Sequence, residues 1–154
     1  MRTLLAALAV VALVAIGTAE AAESARQLEA LPGRGRPSLQ PTGAALTGLS
    51  LALSSAVYLV LGWLVGRRDA GERVAVVTGL QVGVVAGVIG GTLRALAVHE
   101  YLGDVVGRFG LASELATWSL VVFVGLSVIA SAVGGGALTW LGFRLSPSSR
   151  RPPS

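Results

Sequence analysis

Four glycines fall four residues apart in the run Ala75-Val-Val-Thr-Gly79-Leu-Gln-Val-Gly83-Val-Val-Ala-Gly87-Val-Ile-Gly-Gly91-Thr-Leu-Arg94, and Ala75 and Ala95 continue the row. In a water-exposed helix each interior glycine costs about 1 kcal/mol relative to alanine. Such a row is compatible with a stable helix where close backbone approach is itself the packing force, as it is between helices inside a bilayer. This glycine zipper therefore predicts an all-α, integral membrane helical bundle, with the third hydrophobic segment as its packing axis.

Composition agrees. The chain has 154 residues, 53% hydrophobic and 13% charged, whereas soluble domains carry about 25% charged residues. That length holds three or four spans with short loops and no separate soluble domain. All 12 basic residues are arginine; lysine, cysteine and asparagine are absent, and there is 1 histidine. A lysine Schiff base, a thiolate nucleophile, a disulfide and an N-glycosylation site are thereby excluded. So are bis-histidine haem and any multi-histidine metal site. No cofactor and no metal is expected. The arginines lie in loops and tails, where they suit anionic lipid headgroups rather than nucleic acid.

Residues 1–22 carry two readings. Arg2, the apolar run Leu4 to Ile16 and the tripeptide Ala19-Glu20-Ala21 have the layout of a secretory signal peptide with an A-x-A cleavage pattern. The same residues would serve as a short first span. The bundle thus has four transmembrane helices, or three if this segment is cleaved. Residues 23–42 read as an extracytoplasmic loop, broken by Pro32 and Pro37.

A three-helix transmembrane core follows over residues 43–145. Its first span, Gly43 to Gly66, repeats small residues at Ala44, Gly48, Ala52 and Ala56, a ridge suited to helix packing. The polar turn Arg67 to Arg73 is short enough to predict that the second and third spans are antiparallel neighbours. In the span Val74 to Val98, Gly79, Gly83, Gly87, Gly90, Gly91 and Arg94 project into one arc at about 100° per residue. Val82, Val85, Ile89, Leu93 and Leu96 fall on a second arc that reads as the lipid face, and Gln81, Thr92 and His99 on a third, polar stripe.

From His99 to Leu111, Tyr101, Leu102, Val105, Val106 and Phe109 oppose Glu100, Asp104 and Arg108, which predicts a short interfacial amphipathic helix. Trp118 and Trp140 bracket the last span at a spacing of about 33 Å of helix, as interfacial indoles do. Ser127, Ser131, Gly135 and Thr139 give it a small-residue row of its own, and Gly134-Gly-Gly136 marks a kink or a close contact. Residues 146–154 read as a disordered cytoplasmic tail. Arg67, Arg68, Arg73, Arg144, Arg150 and Arg151 outnumber Arg26, Arg34, Arg36 and Arg108, which places the 67–73 loop and the C-terminus in the cytoplasm of a cell (plasma) membrane protein.

The helix-packing residues are therefore Gly79, Gly83, Gly87, Gly91, Gly48, Ala52, Ser127, Ser131 and Gly135. Arg94, His99, Glu100 and Asp104 are the candidate ligand or ion contacts. Arg94 lies near one end of the glycine span, where charge costs less than the ~2.5–3.5 kcal/mol of the bilayer centre. It would contact an anion at an outer vestibule or snorkel to headgroups, with Glu100, Asp104 or Glu114 as counter-ion. His99 with Glu100 and Asp104 would relay protons, hold a metal, or lie solvated at the interface. Ser50 and Ser127, each in a Gly-Leu-Ser context, would bond back to helix carbonyls or bridge helices; a serine hydrolase using His99 is the remote alternative. The run Gly87-Val-Ile-Gly-Gly-Thr-Leu-Arg94 is similar to the Gly-Gly…Arg segment of the four-span fluoride channel family. That family's motif opens its chain and works with asparagines, which are missing here, so no role is carried over.

The expected function is a structural or accessory membrane protein, non-enzymatic, packed against the lipid bilayer and against other membrane subunits or itself. The alternative is a small channel or transporter with Arg94 near an outer vestibule.

Overall fold

The computed structural model describes residues 2–29, 41–68, 71–108 and 113–147. It is all-helical: α1 (Arg2–Glu29), α2 (Pro41–Gly66), α3 (Glu72–Arg108) and α4 (Ser113–Arg144). Local chemistry accounts for the ends. Pro41 opens α2, where its missing N–H leaves no helical bond unmade. Gly66 closes α2, and Arg67 and Arg68 donate back to the Trp63 and Val65 carbonyls at 3.0 and 3.2 Å. Glu72 starts α3 with a negative charge at the positive end of the helix dipole. Arg144 supplies the complementary cation in the last turn of α4, and Pro147 follows it.

Each helix contains a stretch long and apolar enough to cross a membrane: Thr3–Glu23, Ala45–Gly66, Glu72–Ala97 and Thr117–Arg144. The helices form a ring in the order α1, α2, α4, α3, with α1 and α4 barely meeting across it. Two seams are antiparallel and two parallel, as residue pairing along each shows. Along α3–α4, Gly79 meets Gly135 and Thr139, Gly83 meets Ser131 and Ala132, Gly87 meets Val128, and Gly91 meets Ser127 and Val124. Along α2–α4, which run parallel, Tyr58 lies on Gly135, Gly62 against Thr139, and Gly66 against Ser146.

The antiparallel α2 and α3 are not close neighbours, contrary to the expectation from their short connection. They sit on the other diagonal of the ring, because α4 inserts a small-residue surface between them. Gly135 is its centre: a Cβ there would lie 2.7 Å from the Tyr58 ring of α2 and 2.8 Å from the Gly79 carbonyl of α3. The buried core comprises Ala9 and Leu13 of α1, Tyr58, Leu61 and Val65 of α2, and Ala75, Val82 and Ala86 of α3. Leu138 and Phe143 of α4 close over it. Thr139 is fully buried as well, and its hydroxyl has no hydrogen-bond partner among the described residues.

Several expectations are corrected. Gly48 and Ala52 are exposed, and a Cβ on Gly48 would meet nothing within 4 Å. α2 instead presents its later glycines to α4, since Gly62 and Gly66 share a side with Tyr58 while the Gly48 ridge faces outward. Val82 is only 2% exposed and belongs to the core, whereas Val85, Ile89, Leu93 and Leu96 do face outward. Gly90 has open space where a side chain would be, apart from the contacting row. The amphipathic segment is not a separate helix up to Arg108, because nothing between Val98 and Arg108 interrupts the hydrogen-bond ladder and α3 runs on through it for 37 residues. That is ~55 Å of helix against a bilayer core of ~30 Å. Phe109 and Leu111, and residues 30–40 of the first loop, lie outside the described residues. Ser146, expected in a disordered tail, is buried against Gly66; residues 148–154 lie outside the description. The Gly134–Gly136 triplet stays within unbroken helix; Gly135 and Gly136 are close contacts, Gly134 faces open space, and there is no kink.

Candidate functional site

The charged side chains that tie helix to helix gather at two levels. At one level α1, α2 and α3 each contribute one group. Arg94 follows the last glycine of the α3 row by three positions and turns away from α4 toward α1. Its guanidinium forms an ion pair with the Glu20 carboxylate. Ser50 of α2 donates its hydroxyl to the same carboxylate oxygen, Glu20 Oε2, at 2.6 Å. Glu20 is 16% exposed and Arg94 36% exposed, so the acid is the more deeply seated partner. An unpaired carboxylate at that depth is costly, and a charged donor with a hydroxyl offsets the loss of water.

Among the described side chains the counter-ion of Arg94 is Glu20, an acid absent from the expected set of Glu100, Asp104 and Glu114. Glu20 was overlooked because it stands inside a signal-peptide-like pattern. The clue available in the sequence was depth: α1 and α3 run parallel, and both residues lie toward the same end of their helices. Glu114 is exposed at the start of α4. The side chains of Glu100 and Asp104 lie outside the described ones, so the His99–Glu100–Asp104 grouping has no described geometry. His99 is exposed and lines a shallow groove of about 340 Å³ between α3 and α4 with Thr92, Leu120 and Val121. Gln81 borders a different groove, beside Thr3 and Arg73, so the expected polar stripe is not one surface. Ser50 serves Glu20 and is not joined to His99, and Ser127 bonds back to the Phe123 carbonyl at 2.8 Å.

The second level lies at the opposite end of the bundle. Glu72, at the start of α3, accepts from the Trp140 indole N–H and from Arg144 at 3.1 Å. Arg144 also lies over the Trp140 ring, 5.1 Å from its centre, and Arg67 over Trp63 at 4.7 Å. Between the two levels the Tyr58 hydroxyl and the Ser131 hydroxyl share a hydrogen bond of 3.2 Å, tying α2 to α4. The hydrogen bonds and ion pairs among these join one helix to another, whereas the two arginine–tryptophan stacks lie within α4 and at the end of α2. On the outside of the α1–α2 seam, apolar grooves of about 430 and 380 Å³ adjoin at Ile16 and Leu53, and the second reaches Glu20 and Ser50.

Comparison with protein-family models, curated proteins and solved structures finds none that matches the chain.

Proposed function

We propose that the chain is a multi-pass cell-membrane protein with a structural or accessory role, working as a subunit of a larger membrane assembly and catalysing no reaction. The observation that carries this reading is what the polar side chains are used for. Glu20, Ser50, Arg94, Tyr58, Ser131, Glu72, Trp140 and Arg144 all bind one helix to another. Inside hydrocarbon such ties hold a fixed arrangement of spans, with the α3–α4 glycine seam as its spine. The helix faces that remain outward are mainly apolar, including the small-residue ridge of Gly48 and Ala52, with Gln81 and Thr92 among the exposed polar exceptions, and suit contact with lipid and with a neighbouring membrane subunit or a second copy.

The orientation belongs to the same proposal. Arg67, Arg68, Arg73 and Arg144 stand at the end of the bundle opposite the Glu20–Arg94 pair, which supports a cytoplasmic 67–73 loop and C-terminus. Transport is the less favoured reading, because the Arg94 guanidinium that would set an anion preference is engaged by Glu20. Two measurements test the choice. Native mass spectrometry of the protein extracted from its membrane is expected to show a bound subunit or a defined oligomer. Proteoliposomes are expected to show no chloride or fluoride flux, for the native chain and for Arg94→Ala alike. A bare monomer that conducts, with flux altered by Arg94→Ala, would overturn the accessory reading in favour of a channel.

A further inference from the structure

The tripeptide Ala19-Glu20-Ala21 has small residues where a signal peptidase reads them, and its middle residue is the acid that Arg94 and Ser50 hold. We propose that Ala19–Ala21 is a latent processing site, and that the Arg94–Glu20–Ser50 contact keeps the bond after Ala21 intact. The proposal rests on the orientation given above, which puts Glu20 at the outer face where such a peptidase works.

The reaction held back is ordinary peptide hydrolysis. Water adds to the Ala21 carbonyl, the C–N bond to Ala22 breaks, Ala21 is left as a carboxylate, and the Ala22 nitrogen takes both protons of the water and leaves as an ammonium. A peptidase that reads small side chains one and three residues before the cut needs its substrate extended. Here residues 19–22 lie in the unbroken helix Arg2–Glu29, with Ala19 exposed and Ala21 half-buried. The side chains to be read are not sealed in the core; the helical backbone is the main protection of the bond. Gly17 is a weak point in that helix, since a Cβ there would meet nothing within 4 Å and an interior glycine favours unwinding. The ties on Glu20 oppose that unwinding by anchoring this turn to α2 and α3.

The ties also form in sequence. Ser50 lies 30 residues after Glu20 and Arg94 lies 74 after it. At synthesis rates of ~5–20 residues per second, Arg94 emerges about 4–15 s after Glu20. Retention of α1 is then a race between cleavage and assembly, and removal of α1 would strip Ala9 and Leu13 from the core.

The test is expression in a membrane containing a signal peptidase, with intact-mass measurement of the purified chain. The native chain is expected to keep residues 1–21. Arg94→Ala is expected to raise the fraction lacking them about tenfold, the factor that corresponds to loss of one charge-assisted hydrogen bond, and Arg94→Lys to restore protection. Adding Ala21→Leu to Arg94→Ala removes the small residue before the cut and is expected to return the chain to full length, which shows that the loss in Arg94→Ala is cleavage after Ala21 and not general degradation of a misfolded chain. A native chain lacking residues 1–21 overturns the proposal, and so does an Arg94→Ala chain as intact as the native one. The chain has no cysteine, so Gly71→Cys reports orientation separately with a membrane-impermeant maleimide. Labelling from outside would overturn the orientation reading and this proposal with it. Protection of Gly71→Cys with no change in Arg94→Ala would overturn the lock alone.

Discussion

At Gly83 the hydrogen in place of a side chain leaves room for the Ser131 carbonyl and the Ala132 Cα of α4, the latter only 2.7 Å from where a Cβ would be. Both obstacles are backbone, so neither can rotate away, and a single methyl must push the helices apart. Gly90 lies on the same helix with nothing within 4 Å of the equivalent position. Gly83→Ala is therefore expected to cost about 1–3 kcal/mol, the usual range for overpacking, while Gly90→Ala is neutral or stabilising by up to about 1 kcal/mol through helix propensity. Unfolding midpoints in detergent check this pair. Equal losses at the two positions would mean that the glycines matter for helix formation and not for approach. The same distinction explains Val82 and Val85, three positions apart: the first is in the core at 2% exposed, the second faces out at 45%.

Helix by helix, the α3 and α4 rows were legible as sequence because both repeat at four and each makes one continuous stripe. The α2 stripe was equally regular and misleading. A small-residue ridge states that a helix can be approached closely, and says nothing about whether a partner is there. Gly62 and Gly66 carry the contact with α4 but make too short a row to stand out, and the signal that could have marked them is Tyr58, on the same side and buried. Gly62→Leu is accordingly expected to disrupt the α2–α4 seam and lower the midpoint sharply, while Gly48→Leu leaves it within about 0.5 kcal/mol, as substitutions outside packed contacts do. A large loss from Gly48→Leu in detergent would place that ridge inside the fold. Helix boundaries were readable where proline and glycine punctuate the chain, and not at His99, where amphipathic character changes while the helix continues.

The whole molecule is a ring in which sequential connection and spatial adjacency part company: α2 and α3 share a short turn yet stand diagonally, and α1 joins the ring beside α2 and α3. Periodicity within one helix carries no information about which helices adjoin, so ring order was beyond the reach of the sequence. So was the Arg94–Glu20 partnership, which depends on that order. What the sequence did carry was the class of architecture and the face of α3 that matters. The central claim is that α3 and α4 meet backbone to backbone along the glycine row. The cysteine-free chain allows a direct test, because a Cβ on Gly91 would lie 3.2 Å from the Ser127 Cβ, near the ~3.5–4.5 Å separation of disulfide Cβ atoms. Gly91→Cys with Ser127→Cys, oxidised mildly in native membranes, is expected to cross-link within one chain nearly completely. Gly90→Cys with Ser127→Cys is expected to stay reduced. Cross-linking of the second pair but not the first would contradict the account.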